Sequence, residues 1–249
     1  MIKPQIVVAS HKENLWWVPK LKSLGYSIVV YNTGPHGAFS FSLDENMEIH
    51  DLQEVDHIKI PNTDREAGQF LHHIVTQRNN LSDYTLFLQA DLGWSCCNHE
   101  ARMMGASENA VNKLITWLEE SSESRADFLS YEHVRPEYRQ STKHDEEVFK
   151  DIMEPLGALR CPYATAIGTN GGQFRVSKNK ITAIPESYLS GLLDMSNKKP
   201  LSHRLEWSWG LILDSSKSSF NYTKNLTYDK QEKENQNNEN TISETTKLC

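Results

Sequence analysis

The first thirty-four residues constrain the fold more than any other stretch of the chain. Ile6-Val7-Val8-Ala9 is a short, largely β-branched run that ends in a polar loop, Ser10-His11-Lys12-Glu13-Asn14. Trp16, Trp17, Leu21 and Leu24 then suggest a helix that stops at Gly25. A second buried run, Ser27-Ile28-Val29-Val30-Tyr31, breaks at Asn32-Thr33-Gly34-Pro35. Strand, helix and strand in this order predict parallel strands joined by a crossover helix, since parallel neighbours cannot be closed by a tight turn.

The same alternation continues. Residues 36–57 carry little pattern and are expected to be irregular, and Ile58-Lys59-Ile60-Pro61 reads as a short strand. Thr63-Asp64-Arg65-Glu66 fits a capping box, in which Thr63 and Glu66 satisfy free backbone N–H groups reciprocally. Ala67, Phe70, Leu71, Ile74 and Val75 follow at the spacing of one apolar helical stripe, running to about Asn79, with His72 and His73 read as flank or surface residues. Asp83 to Leu88 is a central strand that delivers Gln89-Ala90-Asp91 to its C-terminal end.

Beyond it, residues 107–121 read as a helix and Phe128 to Tyr131 as a strand. The polar, Pro-punctuated stretch 132–169 is expected to hold loops and one short helix. A strand at 173–177 follows the Gly171-Gly172 turn, and the last helices fall at 185–193 and 201–213. The prediction is one α/β domain over residues 1–222, a mostly parallel central sheet with flanking helices. Residues 223–249 have almost no apolar content, cannot offset their ordering entropy by burial, and are expected to be disordered.

Composition narrows the function. The 26 basic and 33 acidic side chains give a formal charge of −7, which argues against a protein whose main task is to hold nucleic acid. No apolar run approaches the ~20 residues of a membrane helix. The N-terminus lacks the apolar length and cleavage region of a signal peptide, and the adjacent Cys96 and Cys97 do not suit a secreted disulfide framework, so a cytoplasmic setting is expected.

In open parallel sheets ligands bind at the C-terminal ends of strands. Four polar clusters share that address: Ser10 to Asn14, Asn32 to Gly34, Asn62 to Glu66, and Gln89 to Asp91. A helix N-terminus at Asp64 and Arg65 offers N–H donors and a guanidinium suited to a phosphate oxygen, though caps and surface loops have the same composition. Gln89 and Asp91, two apart, face the same way if the strand end stays extended. Asp91 could then ligate Mg²⁺ or Mn²⁺ with a diphosphate, or simply form a turn. Cys96, Cys97 and His99 with His72 and His73 lack the separated ligand pairs of a zinc site. Glu206, in Arg204-Leu205-Glu206-Trp207-Ser208-Trp209, could act as a general base beside an aromatic sugar platform, or belong to an ordinary core-and-surface helix.

Taken together, the segments IVVASHKENLWW (6–17), IVVYNTG (28–34), IPNTDREAGQFLHHI (60–74), YTLFLQAD (84–91), NGGQFRVSK (170–178) and RLEWSW (204–209) resemble domain of unknown function family 3431, which is similar to GT-A type glycosyltransferases. They span about 200 residues in order. The resemblance implies a GT-A-like (nucleotide-diphospho-sugar transferase-like) fold and transfer of a sugar from a nucleotide diphosphate sugar to a glycan or other hydroxyl acceptor. GT-A enzymes end the central strand in a metal-binding Asp-x-Asp; here the place reads Gln89-Ala90-Asp91, leaving a one-carboxylate Mn²⁺ or Mg²⁺ site or a metal-independent one. By the same resemblance Ser10, Asn32, Asp64, Arg65 and Gln89 would line the donor, with Asn32 near the nucleobase and Asp64 and Arg65 near ribose and phosphate. Asp91 would orient the donor phosphates, Arg65 offset leaving-group charge, and Glu206 deprotonate the acceptor, with Asp64 or Glu66 able to replace it. The missing first carboxylate leaves a second class open, a non-catalytic nucleotide- or carbohydrate-binding protein. A metal-dependent hydrolase would need more ligands near Asp91.

Overall fold

The computed structural model describes residues 3–11, 13–34, 41–43, 49–51, 56–92, 106–131, 150, 152, 173–199 and 201–213. The tail at 223–249, the Cys96, Cys97 and His99 group, the Gly171-Gly172 turn and nearly all of 132–169 lie outside them.

The chain forms β1 (Gln5–Ser10), α1 (Val18–Ser23), β2 (Ile28–Asn32), β3 (Phe41–Leu43), β4 (Ile49–Asp51), β5 (Asp56–Lys59), α2 (Arg65–Thr76) and β6 (Tyr84–Gln89). Then come α3 (Glu108–Ser121), β7 (Phe128–Ser130), β8 (Phe174–Ser177), α4 (Lys178–Ala183), α5 (Glu186–Lys198) and α6 (Ser202–Leu213). Six strands make one mixed sheet in the order β5-β2-β1-β6-β8-β7. β5, β2, β1 and β6 run parallel; β8 is antiparallel to both β6 and β7. The chain is therefore α/β with a mostly parallel sheet, as expected.

Alternation along the strands explains the layers. Ile6, Val8, Ile28, Val30, Leu86 and Leu88 face one side and pack with Trp17, Val18 and Leu21 around α1 and with Val111, Leu114 and Leu118 of α3. Val7, Ala9, Val29, Tyr31, Phe87, Phe174 and Val176 face the other, under α2, α4, α5 and α6. Strands buried on both faces read as continuous apolar runs, which is why β1 and β2 were visible in the sequence. Gly25, at φ +81°, ends α1 in the left-handed region that favours glycine.

Three expectations fail for identifiable reasons. Residues 36–57 are not wholly irregular: β3 and β4 pair antiparallel as a separate ribbon, and β5 begins at Asp56. Three-residue strands are too short to show a period. Lys178–Ala183, unexpected from the sequence, leaves β8 directly, with the Ser177 hydroxyl accepting the Lys180 N–H at 3.3 Å. The Thr63–Glu66 capping box does not set the start of α2. Asp64 occupies the N-cap without a side-chain cap bond, and Arg65 turns the chain at φ +50°. No described helix is long and apolar enough to cross a membrane.

Candidate functional site

The topology singles out one place on the sheet. From β1 the chain passes through α1 to β2 and on to β5 on one side, then returns through α2 on the opposite face to β6 on the other side of β1. Consecutive crossovers thus leave β1 in opposite directions, which puts the topological switch point, where open α/β sheets bind ligands, at the C-terminal ends of β1 and β6. Ser10 ends β1, Asn32 ends β2 and Gln89 ends β6; the ladders pair Ser10 with Asn32 and Ala9 with Gln89. Ser10, Asn32 and Gln89 therefore share one edge.

Buried side chains lock the β1–β2 part of this edge. Gln69, on α2, accepts the Ser10 N–H (3.0 Å) and donates to Ser10 O and to Thr33 Oγ1 (both 3.3 Å). Thr33 Oγ1 also meets His11 Nδ1 at 3.2 Å, and the Glu13 carboxylate accepts from Ser10 Oγ (3.3 Å) and His11 N (2.6 Å). Asn32 is fully buried; its Oδ1 accepts the Gly34 N–H at 2.7 Å, and its Nδ2 has no partner among the described residues. Gly34 crosses so close to the first loop that a Cβ there would lie 1.7 Å from His11 O, so only glycine fits. The result is a shelf of hydroxyl, imidazole and amide groups bonded largely to one another, with Ser10, Asn32, Thr33 and Gln69 buried and His11 and Glu13 half-buried at its outer side.

At the β6 end the expected geometry changes. Leu92 N donates to Gln89 O at 3.2 Å, closing a four-residue turn, so Gln89 and Asp91 are not neighbours on one extended strand. Both are half-buried just beyond the β1–β6 ladder. Among the described residues no group of three or more His, Cys, Asp or Glu comes together to hold a metal ion. A cation here would draw on Asp91 and on oxygens of its own ligand.

Asp64 is placed differently from its sequence-based role. It is 2 % exposed, and both carboxylate oxygens accept the Leu201 N–H, at 2.8 and 2.9 Å, joining the start of α2 to the start of α6. Its Cβ packs where Gly68 has none: a methyl at Gly68 would come within 2.9 Å. Asp64 is thus an internal anchor. Asp64→Ala is expected to cost about 2–3 kcal/mol in urea unfolding, because a buried N–H loses a charged acceptor, while Asp64→Asn, which keeps one oxygen, should lose less. Equal stability of Asp64→Ala and the parent would refute the anchor.

Arg65, exposed, begins α2 just after β5 and so stands toward the same edge as the other strand ends. Glu206 lies half-buried one turn into α6, the helix that Asp64 tethers. Gln69, Thr33, His11 and Glu13 complete the shelf. The signal for Gln69 was present in the sequence: Gln69 and His73, four apart, make a polar row beside the apolar stripe of α2, and both are buried. Comparison with protein families, curated proteins and solved structures finds no match to this chain.

Proposed function

We propose that this chain is a GT-A-like glycosyltransferase that moves a sugar from a nucleotide diphosphate sugar to a glycan or other hydroxyl acceptor in the cytoplasm. One observation carries the reading: the sequence-nominated Ser10, Asn32 and Gln89 end three adjacent parallel strands around the switch point, with Asp91 in the turn beyond.

In this scheme the donor lies across the β1–β6 switch point. Ser10 and Asn32 underlie the nucleoside by fixing the loop that presents the half-buried His11 and Glu13 to it, Gln89 and Asp91 face the diphosphate, and Arg65 offsets the charge that develops on the leaving group. Mn²⁺ or Mg²⁺, where used, would be held by Asp91 and would neutralise diphosphate charge; without it that task falls to Arg65. Glu206 takes the proton from the acceptor hydroxyl as its oxygen bonds to the anomeric carbon and the bond from that carbon to the phosphate oxygen breaks. Asp64, whose carboxylate holds Leu201, is removed from direct contact with the donor.

The test is a panel of nucleotide sugars assayed with and without Mn²⁺. Turnover of at least one donor is expected, with Asp91→Ala lowering kcat by about a hundredfold or more. The second reading, a non-catalytic nucleotide- or carbohydrate-binding protein, draws on Gln89, which stands where the paired metal motif has its first carboxylate. Tight donor binding without turnover would favour it. Glycan cleavage without any nucleotide donor would overturn both.

A further inference from the structure

We infer that Trp17 and Gln173 are positioning residues that preset the Gln89–Asp91 turn for the diphosphate, an inference that rests on the sugar-transfer reading above. The regular ladders stop just short of this turn. β1 and β6 pair as far as Ala9 and Gln89, and β6 and β8 only as far as Phe87 and Phe174. Past those points two buried side chains take over. Trp17 Nε1 donates to Ala90 O at 2.9 Å, and Gln173 Oε1 accepts the Gln89 N–H at 3.2 Å, while Ala90 N donates to Ala9 O at 2.9 Å. Trp17 comes from the loop leading into α1, within the core layer under α1 and α3; Gln173 precedes β8, and its own carbonyl accepts the Tyr131 N–H. The turn is thereby gripped from two distant parts of the chain.

The backbone indicates why such a grip is needed. Leu92, buried next to Asp91, has φ +47°, in the left-handed region that a bulky side chain seldom adopts. A conformation of this kind persists where the surroundings over-determine it, and such residues gather at functional sites. The bonds from Trp17 and Gln173 supply that determination. Without them the turn is free to relax, and Asp91 leaves the position from which it meets a diphosphate.

Trp17→Phe keeps the ring and deletes the N–H; Gln173→Met keeps the length and deletes the acceptor. Binding of UDP and GDP with Mn²⁺ is measured by titration calorimetry, and amide exchange is followed at residues 89–92. Each variant is expected to bind the nucleotide that the parent binds about 10–100-fold more weakly, as loss of an outer support does at a ligand site. Exchange of the turn amides should quicken, and Gln173→Glu, which retains an acceptor, should restore protection at Gln89. Leu118→Val, a core truncation in the last turn of α3, controls for simple destabilisation and should leave affinity unchanged. If the parent binds nucleotide and both variants bind equally well, the positioning role is overturned and the sugar-transfer reading stands. If exchange of the turn is unaltered, the positioning role also fails. If the parent binds neither UDP nor GDP, both fall together.

Discussion

Arg175→Met is expected to lower the unfolding free energy by about 2–3 kcal/mol, the cost of stripping a charged donor from one buried carbonyl and two part-buried hydrogen bonds. Arg175 lies in the middle of β8, 2 % exposed. Its guanidinium donates to the carbonyls of Ser121, Ser124 (2.9 Å) and Ala126 (3.2 Å), and it stands 4.6 Å from the centre of the Tyr84 ring. These carbonyls belong to the end of α3 and the segment leading into β7, where the helix leaves C=O groups without intrahelical partners. One planar fork thus closes the α3–β7 connection over the sheet. Methionine fills similar space yet satisfies none of the three, so Tm should fall by roughly 4–12 °C. Arg175→Lys should recover part of the loss, because an ammonium reaches fewer acceptors than the fork. A loss below about 1 kcal/mol in Arg175→Met would show that water replaces the guanidinium without penalty.

The Arg175 example separates what the sequence discloses from what it hides. β1, β2 and β6 were legible as continuous apolar runs and α2 by its helical period, and the runs of the strands name their polar C-terminal ends at once. Ser10, Asn32 and Gln89 could therefore be nominated together. Pairings between remote residues leave no such trace. Gln69 reaches Ser10 across 59 positions, Trp17 reaches Ala90 across 73, Gln89 reaches Gln173 across 84, and Asp64 reaches Leu201 across 137. Local pattern made Asp64 part of a cap and a donor contact, whereas tertiary contact gave its carboxylate to another helix. An arginine inside a strand reads as a solvent-facing residue for the same reason. The Gln89–Asp91 geometry failed on a local rule: alternation holds only while the strand continues, and here it turns.

His73 should make the protein acid-sensitive above the range in which carboxylates titrate. Its ring is 1 % exposed, with Tyr31 Oη 3.1 Å from Nδ1 and with the Tyr31 and Phe87 rings at 5.6 and 5.8 Å. Among the described residues Nε2 has no hydrogen-bond partner. A second N–H and a positive charge would enter an apolar pocket with nothing there to accept them. Burial first, and the neighbouring His72 second, push the pKa of His73 down to about 4. The unfolded chain takes up this proton near pH 6.5 and the native state only near 4, so between those values the unfolded state binds more protons. The stability due to neutral His73 is complete above about pH 6.5 and is lost as pH falls through 4, about 3 kcal/mol over the window. His73→Gln keeps a hydrogen-bonding partner for Tyr31 and cannot titrate. Urea unfolding at pH 7.0 and pH 4.5 should therefore show a smaller acid loss in the variant than in the parent, by about 2 kcal/mol. Equal losses in the two proteins would mean that the imidazole charges in place, with the pocket opening to water around it.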